Sequence, residues 1–170
     1  MTKAEFLEKL RTGRSVSFGE SVLEAPTVIL STPLVDSLGM ILDDEELLRF
    51  GAETTSFRND WAGQLTWLLV LRRHLLVLTA LVEKDPSTQE AKAFKIKQST
   101  YPLNRVACGT IDLDYTGRFE LHLSRGRLVL NVEGQEIEVS GKRITPKGIG
   151  LFLRAVVEGQ SEQGAPAPAE

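Results

Sequence analysis

The clearest hydrophobic pattern in the chain is an alternation of apolar and polar positions between Phe94 and Val139. Turn sequences that contain glycine interrupt it at Thr116-Gly117, Arg125-Gly126 and Glu133-Gly134. Strict alternation predicts strands with one buried side, and short glycine turns are typical of antiparallel hairpins. We therefore predict an antiparallel meander in which 119–124 and 128–133 are separate strands.

Helical periodicity marks both ends of the chain. A capping-box pattern that starts at Thr2 predicts a helix ending at Gly13. Thr145-Pro146 has the sequence of a helix start, and one apolar face follows at Ile149, Phe152, Leu153 and Val156. We expect this C-terminal helix to stop at Gly159, so that residues 159–170 form a disordered tail.

The run from Leu65 to Val82 is apolar and fits two structures. As one helix it would end before Asp85-Pro86, and its leucines favour this interpretation. Three consecutive polar residues, Arg72-Arg73-His74, would however spread charge around such a helix. We favour two buried strands, Leu65–Leu71 and His74–Val82, with those three residues in the turn, and we keep the single helix as the alternative.

The first part of the chain has no sustained period after its helix. Short strand-like pieces occur at Ser15–Phe18 and Thr27–Leu30. We predict an N-terminal arm of short helix and strands over 1–44, a domain over 45–158 and the tail over 159–170. The predicted class is α+β, mainly β: an antiparallel meander closed by a C-terminal helix, with a short helical and extended arm.

Three short motifs accompany this plan: Glu45-Glu46-Leu47-Leu48, the segment Gly63–Leu78 with its basic turn, and Tyr101-Pro102-Leu103-Asn104-Arg105-Val106. With the meander and the final helix, they resemble pleckstrin-homology-like domains, in particular the GRAM and bacterial members. The resemblance covers roughly residues 45–158. It implies a partly open barrel or sandwich.

Phosphoinositide-binding members of that group carry basic residues in the loop of the first hairpin. The resemblance places Arg72 and Arg73 in this loop, and paired arginine N–H groups can hold a phosphate. The candidate anion or lipid contacts are Arg72, Arg73, Lys84, Lys92, Lys95 and Lys97. The alternative is an ordinary solvated turn, because a tight turn leaves little room for a headgroup. Trp61, in a polar segment, is a candidate protein contact.

Charge and composition narrow the function classes. The formal net charge is −3, which argues against a nucleic-acid partner. One cysteine, Cys108, excludes an internal disulfide and a cysteine-cluster metal site. The N-terminus lacks a signal-peptide core, and Arg72 and Arg73 interrupt the run that is long enough to span a membrane. We expect a cytoplasmic protein without cofactor or metal.

Two sets of residues have chemistry that an enzyme could use. Cys108 with His74 or His122 would need the fold to bring thiol and imidazole together. Asp112, Asp114, Glu120 and His122 would share the polar face of two adjacent strands, where a cation could be ligated. A small buried cysteine and ordinary polar alternation explain both sets more simply.

The sequence therefore predicts a non-catalytic interaction or scaffold module that binds a protein partner or self-associates. The second hypothesis is a peripheral domain that binds anionic lipid at a membrane surface. The third is a small hydrolase or metal-dependent enzyme. A further hypothesis concerns residues 1–44, an acidic segment that would dock on a neighbouring subunit.

Overall fold

A computed structural model describes residues 1–13, 15–19, 21–24, 28–43, 48–57, 62–84, 87–88, 91–141 and 145–164. The helices are α1 (Lys3–Gly13), α2 (Val28–Ile41) and α3 (Pro146–Gly164). The strands are β1 (Ser15–Phe18), β2 (Ser21–Glu24), β3 (Phe50–Phe57), β4 (Ala62–Val70), β5 (His74–Lys84), β6 (Ala91–Pro102), β7 (Val106–Thr116), β8 (His122–Val132) and β9 (Gln135–Gly141). A short 3-10 turn, Leu103–Arg105, joins β6 to β7.

The strands form three antiparallel sheets: the hairpin β1-β2, the sheet β3-β4-β5-β6 and the sheet β7-β8-β9. The sheets are not closed into a barrel in the described part of the chain, and α3 follows the last strand. The predicted fold class, α+β and mainly β with a C-terminal helix, is confirmed.

The apolar run at 65–82 is a hairpin, as predicted. β4 and β5 pair from Ala62–Glu83 to Val70–Leu75, and the Leu71 amide donates to the His74 carbonyl at 2.8 Å across the Arg72-Arg73 turn. The sheet begins one strand earlier than predicted, however, because β3 pairs with β4 along its whole length. The Arg72-Arg73 turn is therefore the second connection in this sheet and not the first.

Both faces of the four-stranded sheet are covered. Every residue from Leu65 to Leu71 is buried, although their side chains alternate between the two faces. On one face, an added Cβ at Gly51 would lie 2.8 Å from Leu23 Cδ1 and 2.9 Å from Phe18 Cε2. The hairpin β1-β2 therefore packs directly on β3, and the absence of a side chain at Gly51 allows that approach.

The same face also receives the first two helices. The Gln98 amide on β6 donates to the Ser37 hydroxyl on α2, and Phe6 of α1 and Leu38 of α2 are fully buried. Apolar side chains of both helices are thus buried in the core of their own chain. Docking of the segment on a neighbouring subunit stays an untested hypothesis.

Aromatic side chains connect the N-terminal segment to the C-terminal helix. Phe6, Phe18, Phe50 and Phe152 form a series of ring contacts with centroid distances of 6.2, 6.3 and 6.0 Å. Phe152 lies on the predicted apolar face of α3, where Ile149 and Val156 are also buried. One core cluster therefore includes residues of α1, β1, β3 and α3.

Helix starts follow the predicted caps. The Thr2 amide donates to Glu5 Oε2 at 2.9 Å, and the Glu5 amide donates to Thr2 Oγ1 at 3.3 Å. These reciprocal bonds are the capping box expected from the sequence. At α3, the Gly148 amide donates to Thr145 Oγ1 at 3.0 Å, which confirms the predicted N-cap.

Two predicted elements were wrong. The described residues of the piece at 27–30 begin the helix α2, in which Leu34, Val35 and Leu38 are buried at helical spacing. The strands predicted at 119–124 and 128–133 are largely one strand, β8, because Gly126 pairs with Leu113 on one side and Gly141 on the other. A glycine that suggested a turn lies inside a paired strand.

The predicted end of α3 was also wrong, since the helix continues through Gly159 to Gly164. Gln160 Nε2 donates to the carbonyls of Leu103 at 2.8 Å and Val106 at 3.0 Å, and Gln163 Nε2 donates to the Arg73 carbonyl at 2.5 Å. These bonds hold the last turns of the helix against the sheets. Residues 165–170 lie outside the described residues.

Candidate functional site

The candidate site is the outer edge of β7. β8 is the one strand that pairs with β7 in the described structure, so the other side of β7 is a sheet edge. From Ala107 to Thr116 every residue is exposed except Leu113, which is half-buried. Its first residues, Ala107-Cys108-Gly109-Thr110, have small side chains. An approaching chain can therefore reach backbone N–H and C=O groups.

The other edge strands of the two larger sheets, β3, β6 and β9, are protected in different ways. The outer edge strand of the four-stranded sheet is β6, whose sequence contains Lys92, Lys95 and Lys97. Lysines on an edge strand discourage pairing with another chain. β9 lies against β3. β7 has no lysine and no proline, so its edge lacks these two common protections.

Two bulges limit the regular part of this edge. The β7-β8 register shifts between Cys108 and Thr110, which leaves Gly109 as an extra residue, and shifts again between Asp114 and Tyr115. The Gly109 position is also tight, because an added Cβ would lie 3.3 Å from the Val129 carbonyl oxygen. Regular pairing between the bulges spans Thr110–Asp114, which we call the edge segment.

One face of the edge segment is apolar. Ile111 and Leu113 pair with Leu128 and Gly126 of β8, and the core residue Leu128 is 3% exposed. Ile111 is 42% exposed, so the apolar face of the sheet extends from the core into solvent. Tyr115 beyond it is also partly exposed, at 48%.

The hairpin end beyond the edge segment is also apolar. Phe119 is fully exposed and Leu121 is 71% exposed. Both lie in the turn region 117–121, where Gly117 has φ 155° and an added Cβ would lie 1.7 Å from the Glu120 carbonyl oxygen. Exposed apolar patches are typical of protein-binding surfaces.

The opposite face of the edge segment is charged, and its charges alternate from strand to strand. Arg127 on β8 donates from Nη1 to Asp112 Oδ2 of β7 at 3.0 Å and from Nη2 to Glu138 Oε2 of β9 at 3.2 Å. The hydrogen bonds to these two carboxylates raise the pKa of the Arg127 guanidinium, and the bond to Glu138 has the larger effect. Asp114 pairs in register with Arg125. The side-chain contacts therefore run from an acid on β7 through a base on β8 to an acid on β9.

These side chains line a shallow, open cleft of about 350 Å³. Its walls are formed by Ile111, Asp112, Leu113, Asp114, Arg125 and Arg127. The walls of the cleft are therefore supplied by β7 and β8 alone.

The basic residues predicted to hold an anion are not brought together. Arg72 donates from Nε to Glu162 Oε2 at 3.4 Å, and the Arg73 carbonyl is bonded to α3. Lys97 and Lys95 pair with Thr79 and Leu81, five and seven residues along β5 from His74. At about 3.4 Å per residue, they lie about 17 and about 24 Å from the turn.

Three of the predicted contact residues have no described side chain. Trp61, the predicted protein contact, lies outside the described residues. Lys84 ends β5 and Lys92 lies in β6, and the structure describes the backbone of both. Their strands place them at the end of the sheet away from Arg72 and Arg73.

The residues considered for catalysis are also dispersed. Cys108 pairs with Leu130, whereas His122 pairs with Thr116, eight residues further along β8 and about 27 Å away. His74 begins β5 in another sheet. Asp112 is engaged by Arg127, and His122 is 3.9 Å from Glu120. The described residues include no group of three or more acidic, cysteine or histidine side chains that could hold a metal ion.

Sequence reasoning identified the polar residues of this region but not the edge. The available signal was the contrast between β6, with three lysines, and β7, with none. No helix in the described part of the chain is long and apolar enough to cross a membrane. The chain matches no known family, no curated protein and no solved structure.

Proposed function

We propose that this protein is a non-catalytic interaction module of the pleckstrin-homology-like type, which binds an extended segment of a partner protein along the edge of β7. The observation that carries the proposal is the edge itself: an exposed strand with one paired side, without the lysines of β6. Strand addition gives affinity through backbone hydrogen bonds and specificity through alternate side chains.

One feature supports the architecture in this proposal, and another supports the kind of partner. Antiparallel strand meanders are followed by a C-terminal helix, which is the chain order that the resemblance implies. The Arg72-Arg73 turn is engaged by α3, which favours a protein-binding role for the domain over a lipid-binding role based on that turn.

A selection from a random peptide display library against the purified full chain tests the proposal. The selected peptides are then measured on Thr110→Lys, which places a lysine on the edge segment, and on the matched control Thr100→Lys. Both threonines are exposed in edge strands, but Thr100 belongs to β6. We expect Thr110→Lys to abolish binding and Thr100→Lys to retain it.

Hydrogen exchange gives a second readout of the same complex. Bound peptide should slow exchange of β7 amides, because a new strand accepts hydrogen bonds from them. Equal binding to both lysine variants, or protection confined to other strands, would refute the edge as the binding site. Sedimentation of the free chain distinguishes self-association: a dimer lost in Thr110→Lys would assign the edge to a second copy.

A further inference from the structure

The edge segment also indicates the chemistry of the strand that it accepts, an inference that rests on the proposed function. We infer that the partner segment alternates apolar residues with lysine or arginine, so that its basic side chains lie beside Asp112 and Asp114. The occupant is thus an extended basic-apolar segment of another protein.

The charged face of the three-stranded sheet supplies the first argument. Glu138, Arg127 and Asp112 lie on three successive strands and are joined by contacts of 3.2 and 3.0 Å. An added strand continues this series next to Asp112, where the next sign in the alternation is positive. Opposite charges on neighbouring strands stabilise pairing, and like charges destabilise it.

The position of Asp114 strengthens this argument. It belongs to the outermost strand, while its register partner Arg125 lies on β8, on the inner side. Arg125 is also 4.0 Å from Glu138, so its guanidinium lies between two acidic strands. The side chains next to the edge are therefore the two aspartates, and a basic residue on the added strand can reach them.

The apolar face supplies the second argument. Ile111 and Leu113 alternate with the two aspartates along the edge segment and point to the opposite face. Ile111 and, further along, Tyr115 are partly exposed. Because side chains of an added strand alternate in the same way, one of its faces covers these apolar groups while the other presents its charges to the aspartates.

The one cysteine of the chain provides a way to measure this preference. Cys108 is exposed on β7, two residues before the edge segment. Designed six-residue peptides, each with a terminal cysteine, are supplied as mixed disulfides with 2-mercaptoethanol. The Cys108 thiolate attacks the cysteine sulfur of the peptide, forms the protein–peptide disulfide and releases 2-mercaptoethanol as a thiol. A fixed excess of free 2-mercaptoethanol keeps the exchange reversible. Mass spectrometry then gives the fraction tethered, which reports noncovalent affinity for the adjacent edge.

Three peptides are compared on the folded full chain: valine alternating with lysine, valine alternating with glutamate, and the lysine peptide with a central proline. Each is made with its cysteine at either terminus. We expect the lysine peptide to be tethered about tenfold more than the glutamate peptide, from two cross-strand pairs of opposite against like charge. Asp114→Asn should reduce this preference about threefold, while Glu136→Gln on β9 should not change it.

Each outcome has a distinct meaning. Equal tethering of the lysine and glutamate peptides, both above the proline peptide, would overturn this inference and leave strand addition supported. Tethering of both at the level of the proline peptide would overturn the proposed function as well. A preference that persists unchanged in an Asp112→Asn, Asp114→Asn double variant would overturn the assignment to these aspartates.

Discussion

The indole of Trp67 donates a hydrogen bond from Nε1 to Oε2 of Glu53 at 3.0 Å, inside the core. The two residues are direct cross-strand partners on β4 and β3, and Glu53 is 9% exposed. The backbone amide of Glu24 on β2 donates to the same oxygen at 2.5 Å. One buried carboxylate thus joins the β1-β2 hairpin to the four-stranded sheet.

Replacing this carboxylate should destabilise the fold. Glu53→Leu removes the acceptor of the buried Trp67 N–H group and of the part-buried Glu24 amide. A buried donor left unsatisfied costs about 1–3 kcal/mol. We expect the free energy of unfolding, measured by urea denaturation, to fall by about 2 kcal/mol or more. Glu53→Gln keeps an acceptor oxygen and should lose less. A Glu53→Leu chain as stable as the control Glu136→Gln would show that these bonds contribute nothing net.

Two glycines of α3 provide a matched pair for testing how closely the helix is packed. An added Cβ at Gly159 would lie 2.3 Å from Leu103 Cδ1 and 3.2 Å from the Arg72 carbonyl oxygen, whereas Gly150 has no such neighbour within 4 Å. Alanine is favoured over glycine in a helix by about 1 kcal/mol. Overpacking a core costs about 1–3 kcal/mol.

We therefore expect Gly150→Ala to stabilise the protein by up to about 1 kcal/mol and Gly159→Ala to destabilise it. Thermal unfolding followed by circular dichroism measures both. A gain in stability in both variants would contradict the close approach of α3 to Leu103.

A carboxylate near the C-terminal end of α3 predicts a pH dependence. Glu162 contacts Arg49, whose side chain is 14% exposed, and Arg72 Nε at 3.4 Å. The hydrogen bond from Arg49 lowers the pKa of Glu162 below its ordinary value of 4.5, and the bond from Arg72 acts in the same direction. A carboxyl with a lowered folded-state pKa stabilises the protein above 4.5, and this contribution is lost as pH falls through the folded-state pKa.

Glu162→Gln should consequently lower stability at neutral pH and have a smaller effect well below that pKa. Urea midpoints at about pH 7 and at the lowest pH at which the chain still folds measure this difference. Glu8→Gln, at an exposed ion pair within α1, is the control for a surface carboxylate. An effect of Glu162→Gln that is equal at both pH values would remove the ion pair as its cause.

The sequence was ambiguous at 65–82 for a physical reason that the structure supplies. A strand with one wet face shows alternation, but β4 is covered on both faces and reads as a continuous apolar run. Periodicity cannot distinguish such a run from a buried helix. The Arg72-Arg73 pair correctly favoured the hairpin over the helix, because two charged residues fit a two-residue hairpin loop at the sheet end.

The parts that sequence reasoning missed depend on tertiary contacts. The neighbouring sequence does not distinguish Gly126, which lies inside a strand, from Gly134, which lies in a turn. In that turn, Glu133 and Gly134 both have positive φ. Gly159 has the sequence position of a helix stop, but the structure shows a glycine inside the helix at its close approach to Leu103. The edge of β7 is likewise a property of strand order, so its residues were identifiable by type but their position was not.

The N-terminal segment should be part of the cooperative fold. Leu23 on β2 is fully buried, and its side chain occupies the space that a side chain at Gly51 would need. Leu23→Ala should cost about 2–5 kcal/mol, the usual loss for a buried leucine. The control Leu121→Ala, at a position 71% exposed, should cost far less. Because Trp67 lies beneath this segment, tryptophan fluorescence and far-ultraviolet circular dichroism should report one shifted transition. A fluorescence transition unchanged by Leu23→Ala would instead mean that the segment unfolds separately from the sheet.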